Sequence, residues 1–231
     1  PNFAWADYGM RAGMSRILDL FASRSLPAST SINAGVIGAY PEAAVAMRHL
    51  GWEFIGHGMH QEAINHAQGG EASIVRSTLD TIEAFTGKRP RGWLSPGLRE
   101  TFDSPDILKA EGVEYLFDWL VDDLPSWMTT RSGPLMAMPY NLEINDSIVY
   151  AVERHATGEM AARLAHTLAR FEREATDTAR VLAIGLHPHL IGVPHRFGEL
   201  ETMIDTLSAS PRVKFVTGAD IADWYKAAEP A

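Results

Sequence analysis

The stretch Val181-Leu182-Ala183-Ile184-Gly185-Leu186-His187-Pro188-His189 joins an aliphatic run to two histidines that follow it directly. A strand buried on both faces of a parallel sheet reads as a continuous aliphatic run of this kind. In barrels and open sheets alike, ligands bind at the carboxyl ends of such strands. The stretch therefore predicts a strand over residues 181–186 and chemistry at His187 and His189.

The same pattern occurs earlier in the chain. The run Trp52-Glu53-Phe54-Ile55-Gly56 leads directly into His57-Gly58-Met59-His60-Gln61. We interpret the run as a second buried strand that ends at His57. Two unrelated stretches are thus expected to bring imidazoles to one edge of a sheet.

Short apolar strands alternate with amphipathic helices along the rest of the chain. Strands are predicted over residues 28–33, 52–56, 91–95, 113–119, 134–140, 181–186 and 213–216. Helices are predicted around residues 14–21, 41–50, 74–85, 104–112, 160–171, 200–207 and 221–225, and residues 192–196 are predicted to form a turn. This alternation predicts βα units, a mostly parallel sheet and a barrel within one domain, residues 1–231.

Composition limits the possible partners. A net charge of −9 argues against nucleic acid, whose phosphates require a basic surface, and disfavours anionic membranes. The chain has no cysteine, so any metal would depend on His, Asp, Glu or Gln. No run of 18 apolar residues occurs, and the first residues do not read as a signal peptide. We expect a cytoplasmic protein without nucleic-acid or membrane partners.

Six motifs in order resemble one known family. They are WADYGMR at residues 5–11, GHG at 56–58, PRGWLSPG at 90–97, DDLP at 122–125, PYNLEIND at 139–146 and LHPHLIGVPHR at 186–196. Together they are similar to the polysaccharide deacetylase superfamily, and more narrowly to its branch of allantoinase-type and cyclic-imide-hydrolysing members. The resemblance implies a distorted (β/α) barrel, hydrolysis of amide C–N bonds and a homo-oligomer.

The chain departs from that family in two places. The family's first strand ordinarily ends in an acidic residue that serves as base and metal ligand, and we expect this strand and its acid to lie upstream of Pro1. Zinc-binding members carry two histidines four residues apart, whereas Gln61 stands four residues after His57 and His60 stands three after. Gln is a poor zinc ligand beside imidazole or carboxylate. A divalent metal, zinc, would have His57 with Gln61 or His60, and a reaction without metal is the alternative.

Three residues are candidates for catalysis. The imidazole of His187 titrates near neutral pH and is suited to protonate a leaving nitrogen, while the alternative is a hydrogen-bonded structural histidine. For His57, a role as ligand or substrate-orienting group stands against a structural one. Arg91 lies just before a predicted strand, where the resemblance implies an arginine that orients the catalytic carboxylate, and a surface arginine is the alternative.

Further polar and aromatic residues around the motifs are candidates for substrate binding. They are Trp93, Ser95, Glu143, Asn145, Asp146, His189, His195 and Arg196. The function we expect is hydrolysis of a small cyclic amide, ureide or imide. Deacetylation of an N-acetyl amino sugar is the first alternative, and a non-catalytic binding protein on the same fold is the second.

Overall fold

Helices and strands are described over residues 3–64 and 70–231 in this computed structural model, and they fall into two units. The first unit contains the described residues up to Leu26 together with Tyr140–Phe215. The second contains the described residues of Pro27–Pro139 together with Val216–Ala231. The predicted single domain over residues 1–231 stays a prediction.

The second unit is built on one sheet. Its strands are β1 (Ser29–Ile32), β2 (Glu53–Gly56), β3 (Gly92–Trp93), β4 (Tyr115–Leu116), β5 (Ser126–Thr130) and β6 (Gly133–Ala137). They lie in the order β1-β2-β3-β4-β6-β5, and every neighbouring pair is parallel except β5 with β6. The carboxyl ends of β1 to β4 therefore share one edge of the sheet.

Helices complete this unit. They are α3 (Gly35–Ala39), α4 (Pro41–His49), α5 (Glu71–Thr86), α6 (Ser104–Ala110) and α9 (Gly218–Ala228). Apolar side chains of α5, including Val75 and Leu79, pack with Trp93 and Leu116 of the sheet in one buried cluster. The burial of such side chains is the main favourable term in folding. Gly87 ends α5 in the left-handed conformation, as the sequence predicts.

The first unit is mainly helical. Its helices are α1 (Phe3–Tyr8), α2 (Met14–Arg24), α7 (Glu159–Glu174) and α8 (Pro194–Ala209), with π-helical turns at Gly9–Gly13 and Ser147–Val152. Met160 and Leu164 of α7 are fully buried, and α7 packs against α8. The extended residues that lead to His187 belong to this unit.

Two predicted strands are wrong in the described structure. Residues 181–186 run without regular strand pairing, and the only bridge in this run joins Gly185 to Asn145. Backbone groups of this run are hydrogen-bonded to residues 141–146 instead. Ala183 N donates to Asn141 Oδ1, Gly185 N donates to the carbonyl of Ile144, and the carbonyl of Gly185 accepts from Asp146 N. Residues 213–216 also form no strand.

Other boundaries differ from the predictions as well. No strand was predicted at β5, the edge strand of a hairpin. The second strand of this hairpin, β6, begins at Gly133, whose φ is 112°. The predicted turn at residues 192–196 is wrong in its second half, because Pro194 begins α8 and places His195 and Arg196 in its first turn. Proline suits this position since it has no N–H to leave unpaired.

Candidate active site

Asp146 is hydrogen-bonded to His187, and both residues belong to the first unit. The Asp146 side chain is 0% exposed, and its Oδ1 accepts a hydrogen bond of 2.6 Å from Nδ1 of His187. Its Oδ2 accepts from the backbone N–H groups of His187, at 2.7 Å, and of Ile191, at 3.2 Å. Because a carboxylate only accepts, Nδ1 carries a proton, and the second proton of the charged ring is gained or lost at Nε2.

The charge of Asp146 controls the protonation of His187. Burial by itself would lower the pKa of His187, but the hydrogen bond and charge of Asp146 outweigh it, so the pKa is raised above its usual value. Burial, followed by the charge of His187, lowers the pKa of His189. The pKa values of the two neighbouring imidazoles thus shift in opposite directions, so His187 keeps its proton to higher pH than His189 does.

His189 lies beside this pair. Its ring centroid is 5.9 Å from that of His187 and 5.1 Å from that of Trp5, in edge-on contacts. The backbone of Gly9 approaches so closely that a Cβ there would lie 2.6 Å from His189 N. The residues of the first WADYGMR motif therefore pack onto the His-Pro-His segment.

The remaining first-unit candidates are placed in different ways. Asn145 is 4% exposed, and its Nδ2 donates to Tyr140 Oη at 3.0 Å. The Arg196 guanidinium lies 4.4 Å from the centroid of the Tyr150 ring. Glu143 and His195 are exposed. The structure thus brings Asp146, Asn145, His187 and His189 together, while Glu143 and His195 face solvent.

His57 directly follows β2 in the second unit. Its Nδ1 donates to the carbonyl of Leu94 at 2.5 Å, and its own carbonyl accepts from Asn33 Nδ2. The position of the strand end depends on Gly56, where an added Cβ would lie 2.4 Å from Trp93 Cε3. The donation from Nδ1 fixes the tautomer of the neutral ring with its lone pair on Nε2.

The candidate metal donors do not fit a zinc site. The ring of His60 lies against Gly35, and Gln61 is exposed. Within residues 3–64 and 70–231, no three His, Asp or Glu side chains are grouped to hold a metal ion. Two imidazoles and an amide without a carboxylate are a poor donor set for zinc.

Arg91 lies at the amino end of β3, before the strand rather than after it. Its guanidinium is bound to Glu114, at 2.9 and 3.0 Å, and to Asp223, at 2.5 Å. Hydrogen bonds to Asp223 and then Glu114 raise its pKa. These ion pairs agree with the alternative interpretation, an arginine that lies before a strand. The catalytic role of Arg91 stays a prediction.

Trp93 ends β3, and Ser95 follows two residues later. Both are fully buried, and Trp93 Nε1 donates to Ser95 Oγ at 2.9 Å. Trp93 therefore lies in the core of the unit, and its predicted contact with substrate stays a prediction. Ser95 N donates to both carboxyl oxygens of Asp118, at 2.9 and 3.0 Å.

Asp118 and its neighbour Glu100 were not among the predicted site residues. The sequence analysis placed Asp118 inside a strand over residues 113–119, whereas β4 ends at Leu116. Asp118 lies two residues after the buried strand β4, and His57 lies directly after β2, so the rule that pointed to His57 could have found Asp118. His57 and His187 belong to different units, and their service to one substrate stays a prediction from the sequence.

Comparison with known proteins shows which family this chain is similar to. The sequence model described as Polysaccharide deacetylase matches residues 5–116. A curated putative polysaccharide deacetylase from Schizosaccharomyces pombe is 26% identical over 254 residues, covering 97% of this chain and 76% of that protein. Within the described part of the chain, no helix has the length and apolarity needed to cross a membrane.

Two solved structures are similar over 99% of this chain. The structure of PuuE allantoinase has a TM-score of 0.92 at 27% identity, with 76% of that chain covered. A probable polysaccharide deacetylase from Pseudomonas aeruginosa PAO1 has a TM-score of 0.91 at 29% identity, with 77% covered. These likenesses confirm the predicted fold class, while the strand expected before Pro1 stays a prediction. Residues 5–116 thus match the polysaccharide deacetylase family, and the chain has the fold of the similar allantoinase and probable deacetylase structures.

Proposed function

We propose that this protein hydrolyses a C–N bond of a small cyclic amide, ureide or imide, with His187 as the general acid. The observation that carries the proposal is the buried carboxylate of Asp146 against Nδ1 of His187. Hydrolysis of an amide, ureide or imide C–N bond leaves a nitrogen that must be protonated as the bond breaks. A histidine whose pKa is raised by a neighbouring carboxylate holds the required proton to higher pH than an ordinary histidine does.

The class of reaction has independent support. The polysaccharide deacetylase domain and the deacetylase and allantoinase relatives confirm the predicted enzyme class, a hydrolase of C–N bonds other than peptide bonds. The choice of a small cyclic substrate is our own proposal. It is supported by the match to an allantoinase structure along 99% of the chain. The homo-oligomeric state and the cytoplasmic location stay predictions.

A second candidate is deacetylation of an N-acetyl amino sugar. It is favoured by the family to which residues 5–116 match and by the name of the Schizosaccharomyces pombe relative. His187 would have the same role in this reaction, since the nitrogen of the amino sugar must also be protonated as the C–N bond breaks. The two candidates differ only in the substrate that the site accepts.

The test is a parallel assay of the protein with allantoin, a cyclic imide and N-acetylated chito-oligosaccharides. Ring opening of allantoin or the imide, with no release of acetate from the oligosaccharides, supports the proposal. Acetate release alone supports the second candidate. Turnover of none of them, by protein that melts cooperatively, supports the binding protein on the same fold. The His187→Ala variant is the control, because any turnover that this variant retains in full does not come from the proposed site.

A further inference from the structure

One peptide group in the second unit is hydrogen-bonded at both ends. The carbonyl of Leu94 accepts from His57 Nδ1, and the N–H of Ser95, which belongs to the same planar peptide, donates to Asp118. His57 follows β2, this peptide follows β3, and Asp118 follows β4. The three carboxyl ends of neighbouring parallel strands are thus connected side by side through a single peptide.

Asp118 has a second carboxyl group beside it. Glu100 interacts with Asp118 by a hydrogen bond and by charge, and Glu100 Oε2 accepts from Trp119 Nε1 at 2.5 Å. Glu100 Oε1 is buried, and no nitrogen or hydroxyl of the described residues donates to it. Two carboxylates cannot hydrogen-bond to each other without a proton, so a proton between them satisfies both.

The surroundings decide which carboxyl keeps that proton. Burial, followed by the charge of Glu100, raises the pKa of Asp118 well above its usual range, against the hydrogen bonds from Ser95. The other charged group acting on the pair is Glu71 of α5, which raises the pKa of Glu100 further. A protonated Asp118 can accept from Ser95 N while it donates to Glu100. A neutral amide side chain could make the same two hydrogen bonds, one as acceptor and one as donor.

We propose that Asp118 is a positioning residue for His57, acting through the Leu94–Ser95 peptide, and that Glu100 holds Asp118 in place by sharing its proton. Hydrogen bonds in such a chain strengthen one another. When Asp118 no longer accepts from Ser95 N, the hydrogen bond from His57 Nδ1 to the Leu94 carbonyl becomes weaker. This role rests on the proposed function, because it assigns Asp118 to the orientation of His57 in that reaction.

The test compares Asp118→Asn with Asp118→Ala in the whole protein. The Nδ1–H proton of His57 is followed by NMR with ¹⁵N-labelled histidine and assigned by its loss in His57→Gln. Asp118→Ala is expected to shift this resonance and speed its exchange with water, and to lower kcat about 10- to 100-fold with little change in KM. Asp118→Asn is expected to keep both the resonance and most of kcat, because the amide replaces both hydrogen bonds. Asp19→Ala, an exposed aspartate of α2, is the control for the substitution itself.

The NMR signal separates this inference from the proposed function, because it is measured without substrate. A His57 resonance that is unchanged in Asp118→Ala overturns the proposal. If Asp118→Ala does not fold, Asp118→Asn decides alone: a wild-type resonance and activity uphold positioning by hydrogen bonds. An Asp118→Asn protein that folds with a wild-type His57 signal but has lost turnover overturns it, because the carboxyl itself would then be required in the reaction.

Discussion

Asp146 binds His187 twice, through Oδ1 to the ring Nδ1 at 2.6 Å and through Oδ2 to the backbone N–H at 2.7 Å. One buried carboxylate therefore sets both the rotation of the imidazole and the position of the chain that carries it. The same carboxylate raises the pKa of the ring against the opposing effect of burial. Orientation and protonation of His187 thus depend on one residue, and they can be separated by substitution.

Asp146→Asn should move the alkaline limb of the pH–rate profile to lower pH. A general acid works in its protonated form, and the raised pKa keeps His187 protonated to higher pH. Without the negative charge, burial is no longer offset and the pKa of His187 falls. At neutral pH, kcat should fall roughly 10²-fold or more. Profiles of kcat against pH for this variant and for Asp19→Asn, an exposed control, test this. An alkaline limb at the wild-type pH in Asp146→Asn contradicts the assignment.

Glu100→Gln should flatten the dependence of stability on pH. Burial, with the charge of Glu71 and against the hydrogen bonds from Trp119 and Asp118, raises the pKa of Glu100 from 4.5 to about 7. A carboxyl with a raised pKa in the folded state contributes stability below pH 4.5 that is lost as pH rises through about 7. Gln has no such proton, so the difference in Tm between the variant and the wild type should grow in favour of the variant across this range. Thermal melts from pH 4 to 8 measure this difference in Tm, with Glu42→Gln, at an exposed position, as the control. Curves of Tm against pH that run parallel for Glu100→Gln and the wild type would refute the prediction.

Gly56→Ala should destabilise the second unit. A Cβ at Gly56 meets Trp93 Cε3 at 2.4 Å and Cζ3 at 2.6 Å, and Trp93 is fully buried and cannot move away freely. Overpacking of this kind costs about 1 to 3 kcal/mol. Gly38→Ala is the matched control, since nothing lies within 4 Å of an added Cβ in this position of α3, and it should be neutral or stabilising by up to about 1 kcal/mol. Equal unfolding free energies for the two variants in urea would show that Gly56 is not required for this contact.

Zinc should bind weakly to the wild-type protein and more tightly to Gln61→His. The substitution places an imidazole four residues after His57, where the wild type has only an amide oxygen to offer. Calorimetric titration with zinc, together with metal analysis after dialysis, measures both proteins. One tightly held zinc per chain in the wild type means that the interpretation of Gln61 is wrong.

The local pattern of the sequence was sufficient for most of the second unit. The strand that ends at Gly56 and the helix that ends at Gly87 both lie where aliphatic runs and a terminal glycine predicted them. The run at residues 181–186 has the same aliphatic pattern but forms no ladder, because its backbone is bonded to Asn141, Ile144 and Asp146. Competition for backbone hydrogen bonds between distant segments is not visible in a local pattern.

The site was predictable where one residue carries the signal and not where two residues share it. His187 stands out at the end of an aliphatic run, but its partner Asp146 lies 41 positions away and was predicted to bind substrate. Asp118 and Glu100 belong to different loops, and only their placement beside Ser95 and Trp119 gives them a common role. Burial of a carboxyl group, which decides these roles, depends on tertiary packing.

The turnover of His187→Ala tests the central claim most directly. On whichever of the cyclic or N-acetylated substrates the wild type hydrolyses, we predict that kcat falls roughly 10²- to 10⁴-fold, with an unchanged fold by circular dichroism. The loss belongs to kcat because the proton is needed as the C–N bond breaks. Unchanged turnover in a folded His187→Ala protein would contradict the account.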